Sequence, residues 1–368
     1  GQPPFTQPRN CLRVTSHRPA RLRLAAATAT LTTLAAVVAA TPAGASAVGS
    51  HDDDHGHGRD YTFAVIGDVP YGAVQIAAFP GWIQQINADA DVRHVVHLGD
   101  IKNGSSLCTD EYFAQIRSDF DTFTDPLVYT PGDNEWTDCH RVNNGAYNPL
   151  ERLSKVREVF FDHPGRALGQ HPMRVDSQAG LGYPENVTYS EADVTFMAAD
   201  VTGSDNGLQP WDGLGLTAPT TEQQAAVTDR TRADIRLLRR AFADAKRRHD
   251  RAVVIEQQAD MFDPTYTPTA NDIQAFAPWI QAIIDESNRF HGQVYLFNGD
   301  SHAYNTDQPL AAGSAWLTTY ATYGVHGSTD NLTRVTVDGS GNNFDWLKVT
   351  VHDRGSQVLT WTRVPYTS

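Results

Sequence analysis

Short runs of apolar, often β-branched residues recur along the chain, and four of them stop at a glycine and an aspartate. Phe63-Ala64-Val65-Ile66 runs into Gly67-Asp68, and Val95-Val96-His97-Leu98 into Gly99-Asp100. Leu127-Val128-Tyr129-Thr130 runs through Pro131 into Gly132-Asp133, and Val294-Tyr295-Leu296-Phe297 runs through Asn298 into Gly299-Asp300. Runs of this length without polar alternation are those of strands covered on both faces. Between them the apolar period changes to that of a helix. Helices are predicted over 73–87, interrupted at Pro80 and Gly81, and over 110–123, with Thr109 as N-cap. Others are predicted over 149–160, 228–249 and 272–288. In 228–249, Ile235, Leu238, Ala241, Phe242 and Ala245 form the buried stripe. Residues 186–190 and 194–199 read as a hairpin, and 253–256, 315–319, 332–337, 344–351 and 358–364 as further strands. Residues 140–186 read as loop-rich and 202–221 as a Gly/Pro-rich surface loop.

Asp68 and Asp100 are 32 residues apart, and Asp100 and Asp133 are 33 apart. That is room for a strand, a crossover helix and the next parallel strand. The order of elements begins with parallel units and ends in a meander. Two mixed β-sheets packed face to face with helices outside, an α/β four-layer sandwich, accommodate it in one domain over 61–368. Parallel sheets present their binding residues just beyond the carboxyl ends of the strands. Four carboxylates brought there cannot all remain ionised without positive charge between them. A metal ion is the simplest such charge.

The start of the chain reads differently. Arg18, Arg21 and Arg23 precede an uncharged stretch from Leu24 to Ala40, and Ala45-Ser46-Ala47 supplies small residues at a cleavage position. Residues 1–47 are therefore expected to be a secretory signal and its upstream residues, with an uncleaved anchor as the alternative. Residues 48–60, rich in His and Asp, are expected to be a disordered lead-in. Loss of 1–47 removes five arginines and no acid, so the formal charge goes from −14 to −19. Such a protein is a poor partner for nucleic acid or an anionic membrane. No later run is apolar enough to span a membrane, so the mature protein is expected to be soluble, and a secreted monomer is the expectation. Cys108 and Cys139 follow two of the Gly-Asp pairs by eight and six residues. If those strands are neighbours, the two cysteines pair in an oxidising compartment. Asn186 and Asn331 fit the N-x-[ST] glycosylation pattern.

The motif order resembles that of the calcineurin-like metallophosphoesterase superfamily, which includes the purple acid phosphatases. The matching segments are Gly67-Asp68-Val69-Pro70-Tyr71, Gly99-Asp100-Ile101-Lys102-Asn103-Gly104, Gly132-Asp133-Asn134-Glu135-Trp136, Ile255-Glu256-Gln257-Gln258 and Gly299-Asp300-Ser301-His302. Several histidines of the family pattern are replaced. Pro70, Asn134, Gln257 or Gln258, and Asp300 stand in their places, and Asp133 stands for an asparagine. The resemblance implies one metal near Asp68, Asp100 and His302, with Tyr71 as a substitute ligand. It implies a second near Asp100, Asp133, Gln257 and Asp300, with Asp100 shared. An oxygen-rich second position suits Mn, Mg or Ca, while His302 leaves Fe or Zn open at the first.

The implied activity is hydrolysis of phosphate esters on a phosphorylated small molecule, with monoesters preferred to diesters. The alternative is a binding protein on the same fold with a degenerate metal site. His140 is the candidate acid in place of the missing histidine, and Arg141 the candidate phosphate clamp. Asn134, Lys102 and Asn103 are candidates for contact with substrate oxygens. Lys102 is equally suited to balancing the carboxylates, and Glu135 to orienting a neighbour.

Overall fold

The computed structural model describes residues 60–367. The expected export signal, and the lead-in apart from its last residue, lie outside the described residues. In chain order the strands are β1 Tyr61–Ile66, β2 Val92–His97, β3 Leu127–Tyr129, β4 Asp176–Gln178, β5 Tyr183–Glu191, β6 Val194–Ala198, β7 Ala252–Glu256, β8 Gln293–Asn298, β9 Asn305–Asp307, β10 Leu332–Thr336, β11 Asp345–Val351 and β12 Leu359–Pro365. One sheet has the order β12-β11-β1-β2-β3 and the other β4-β5-β6-β7-β8-β10-β9. β1, β2 and β3 run parallel, as do β6, β7, β8 and β10, while the remaining pairings are antiparallel.

Three apolar layers hold the sandwich together. Phe63, Val65, Val96, Phe196, Val254 and Phe297 are buried between the sheets. Helices Gly72–Asn87, Asp110–Phe120 and Pro149–Phe160 cover the five-stranded sheet through Phe79, Ile83, Phe113, Ile116, Val156 and Phe160. Helices Thr221–Arg248 and Ala270–Asn288 cover the seven-stranded sheet through Leu238, Phe242, Trp279 and Ile283. The α/β four-layer reading agrees with this arrangement. Thr109 caps its helix by accepting from Tyr112 N. The long helix begins at Thr221 rather than 228, because Thr220 and Gln223 form a capping box upstream.

Some elements differ from expectation. Ala315–Ala321 is a helix, not a strand. Its Trp, Thr and Tyr residues favour strands locally, but Ser314 accepts from Trp316 N, and Trp316, Leu317 and Tyr320 face one core. Gly72–Asn87 continues through Pro80, since Phe79, Ile83 and Ile86 bury one face on both sides of it. Neither glycosylation match presents a free amide. Asn186 is buried and donates to Gln178 and Asp234, and Asn331 donates to three backbone carbonyls. Cys108 and Cys139 form a disulfide with a Cα–Cα distance of 5.9 Å, joining the loops after β2 and β3. Among the described residues no helix is long and apolar enough to cross a membrane.

Candidate metal centre

Parallel strands from both sheets end at one edge, and each delivers its acid through a tight turn. Asp68, Asp100, Asp300 and His302 have φ of 53°, 57°, 73° and 63°, a left-handed backbone that non-glycine residues rarely adopt. Such conformations are held only where the surroundings over-determine them. The glycines beside them leave room for close approach. A Cβ on Gly99 would lie 2.5 Å from Gly132 N, and one on Gly299 would lie 2.2 Å from Asp68 Oδ2.

The carboxylates converge. Ligand atoms of Asp68, Asp100 and His302 lie within 4.8 Å of one another, and so do those of Asp100, Asp133 and Asp300. Asp100 is common to both groups. Its Oδ2 accepts from Tyr71 Oη at 2.8 Å, from Asn134 Nδ2 at 2.9 Å and from Gln258 Nε2 at 3.3 Å. Tyr71 Oη lies 3.4 Å from His302 Nε2, and His302 Nε2 lies 3.3 Å from Asp68 Oδ1. Both Asp68 oxygens accept from Asp300 N, and Asp300 Oδ2 accepts from Asp260 N.

Electrostatics point the same way. Burial and then the charges of Asp133 and Asp68 push Asp100 and Asp300 well above the usual carboxylate range. Burial, Asp100 and Asp68 likewise raise the Tyr71 phenol. Burial alone would lower His302, but its contact with Asp68 and the Asp68 charge hold it above its ordinary value. A cradle of oxygens that raise one another's proton affinity fits a divalent cation, and a Cβ on Gly203 would crowd it, 2.5 Å from Asp133 Oδ2 and 3.0 Å from both Asp300 oxygens.

Of the expected site residues, Asp68, Tyr71, Asp100, Asp133, Asn134, Asp300 and His302 are brought together. Arg141 stands at the edge: its Nη1 pairs with Asp138 at 2.8 Å, and a Cβ on Gly104 would meet both Arg141 Nη1 and Asn134 Oδ1. Glu135 orients the turns, accepting from Asp100 N, Gly132 N and Tyr129 Oη.

Three expectations are corrected. Gln257 points away from the acids: its Oε1 accepts from Trp279 Nε1 and its Nε2 donates to Ala259 O. Its neighbour Gln258, on the other face of the chain, donates to Asp100 and Asp133 instead. Gly203 N donates to Gln258 Oε1, which fixes the amide with its NH2 toward the acids. Lys102 is fully buried, with Nζ donating to the carbonyls of Asn103 and Asn134, so it balances charge beneath the loop rather than facing a substrate. Burial lowers its pKa to about 8 against the pull of Glu135 and Asp100. Asn103 is not among the three: its side-chain oxygen accepts from Ser105 within its own turn, and its Nδ2 lies toward Gly72, beside Tyr71. His140 is buried against Asp212, Nδ1 to Oδ1 3.1 Å, and contacts none of the converging acids.

Ser204 was missed. Its hydroxyl lies 2.9 Å from Asp133 Oδ2 and 2.7 Å from Asp138 Oδ1. It lies in a left-handed turn over 204–206 that lines the centre, so 202–221 is not merely a surface loop. The signal was the turn-forming run Gly203-Ser204-Asp205-Asn206-Gly207 shortly after a strand.

A family model for the calcineurin-like phosphoesterase matches residues 61–254. No curated protein matches the sequence. Among solved structures, a similar chain is "GAP50 the anchor in the inner membrane complex of Plasmodium", at 8% identity and a TM-score of 0.39, covering 84% of this chain and 90% of that one.

Proposed function

The chain belongs to the calcineurin-like phosphoesterase family, and we propose that it is an exported, metal-dependent phosphoesterase that prefers phosphomonoesters. The observation that carries this reading is the pair of ligand groups sharing Asp100. Asp68, Asp100 and His302, with Tyr71 beside them, would hold one divalent ion, and Asp100, Asp133 and Asp300 a second. When bound, such ions polarise phosphoryl oxygens and lower the pKa of water.

The chain's own residues then have distinct tasks. The Asn134 amide donates to Tyr71 Oη and to Asp100 Oδ2 and so holds these two ligands in place. Arg141, held by Asp138, neutralises the entering phosphate. Gln258 and Ser204 hold the Asp133 carboxylate in place. Hydrolysis adds water oxygen to phosphorus, breaks the ester P–O bond and leaves the proton on the departing alcohol. The disulfide between Cys108 and Cys139 supports an oxidising compartment and ties the loops after β2 and β3.

The amide of Gln258 favours a second reading. A position that offers an NH2 to the acids binds no cation through that side chain, as a degenerate, non-catalytic site would. Elemental analysis of the purified protein separates the two, combined with turnover of nitrophenyl phosphate before and after chelation. The enzymatic reading expects close to stoichiometric metal and activity that chelation abolishes and metal restores. A metal-free, inactive protein that stays inactive on addition of Mn, Zn or Fe overturns it.

A further inference from the structure

A cleft of about 280 Å³ opens from the centre at Asp300 and Ser204 toward the N-terminal end of helix Ala270–Asn288. It has the place of a leaving-group pocket, and its chemistry is one-sided. Tyr266 and Trp316 are among its aromatic walls, Asp263 and Asp272 line it, and no Lys, Arg or His does. Tyr266 is 52% exposed, an aromatic ring left open at the cleft. Asp260, also in the wall, is neutralised by Arg334 and accepts from Ser301. No base pairs with Asp263 or Asp272: the first accepts from Thr265, and the second from Thr269 and Tyr266.

Behind the wall stands a second carboxyl group with no basic partner. Asp205 is 7% exposed, and its side chain shares a hydrogen bond with Asp272, which lines the cleft. Two acids held against each other without a base, one buried and one half-buried, are stabilised by a proton or by a cation entering beside them. Aromatic faces together with uncompensated carboxylates are the surroundings that bind an ammonium group.

We propose that this cleft binds the alcohol part of the substrate and selects a protonated or quaternary amine, so that the preferred esters are amino-alcohol phosphates. The inference rests on the phosphoesterase reading and deepens it. The cleft is slightly smaller than the roughly 300–1,000 Å³ of sites for drug-sized ligands, which suits a head group of a few heavy atoms. Anionic leaving groups are disfavoured by Asp263 and Asp272. Water adds its oxygen to phosphorus, the P–O bond to the amino alcohol breaks, and the alcohol leaves with a proton beside inorganic phosphate.

The test compares phosphocholine and phosphoethanolamine with glycerol phosphate on the metal-loaded protein, by kcat/KM and by calorimetric binding. Wild type is expected to favour the amine esters by both measures. Asp263→Asn keeps the side-chain oxygen that accepts from Thr265 N, so its turn is preserved. It is expected to lower the amine-to-glycerol ratio by about 2- to 5-fold, as loss of one partly solvated charge contact implies. Trp316→Leu keeps apolar bulk and lowers the ratio through loss of the aromatic face. The ratio is insensitive to a general loss of folding or metal. Equal binding of both ester classes by wild type, or a ratio untouched by both variants, overturns the inference. A protein that binds the amine esters selectively yet hydrolyses no nitrophenyl phosphate supports the cleft and sinks the enzymatic reading instead.

Discussion

Two of the buried clusters of titratable groups among the described residues behave differently. One is the centre at the sheet edge. The other is a chain across the interface between the sheets. There Tyr61 Oη and Tyr189 Oη lie 2.8 and 3.2 Å from the two nitrogens of His94, and Tyr189 donates to Glu256 Oε1 at 2.8 Å. Burial lowers His94 to about 3 and raises Glu256 to about 8, with no charged neighbour among the causes. Both groups are neutral near pH 7 and are linked through the tyrosine. At the edge, by contrast, burial is compounded by the charges of neighbouring aspartates. Burial alone makes a neutral polar core. Burial with like charge makes a place that calls for a cation.

The sharpest way to break that contrast is Asp100→Asn. Both ligand groups lose their common member, so turnover is expected to fall by more than the roughly 10- to 100-fold that loss of an outer-shell partner costs. Metal content should fall with it. Full activity with full metal content would remove the centre from the mechanism.

A smaller effect is expected from Gln258→Leu, on the order of 10- to 100-fold in activity or metal affinity. Gln257→Leu one position away should leave metal content unchanged. It should destabilise by about 1–3 kcal/mol, since it strands the buried Trp279 N–H. Reversed outcomes for this pair would mean that the strand end presents its other face.

The mildest test lies in the inter-sheet chain. The folded pKa of Glu256 is raised from 4.5 to about 8. Its contribution to stability is therefore full below 4.5 and is lost as pH rises toward 8. Subtracting the Glu256→Gln melting profile from that of wild type between pH 5 and 9 should give a difference that falls with pH. Metal content should not change. A flat difference, or a loss of metal, would merge the two clusters into one system.

Much of this organisation can be read from residues in order. Strand ends are local: an apolar run, a glycine and an acid say where a strand stops and that a carboxylate stands there. Four such ends, with crossover spacing between three of them, imply one edge, and the acids do meet there. The disulfide follows from the same adjacency of β2 and β3. Local signals also misled, as at 315–321, where strand-forming residues became a helix because its apolar face met a core.

What the order of residues could not decide is which side chain at each end looks inward. Gln257 and Gln258 are adjacent, and successive side chains on extended backbone face opposite ways, so only the packing of helix Ala270–Asn288 assigned the first to Trp279 and the second to the acids. His140 turned to Asp212, and Ser204 reached Asp133, a partner 71 residues away in sequence. Sequence determined that acids arrive at the edge, because turns are built from neighbours. Tertiary structure decided what surrounds them, because those contacts join segments that share no local rule.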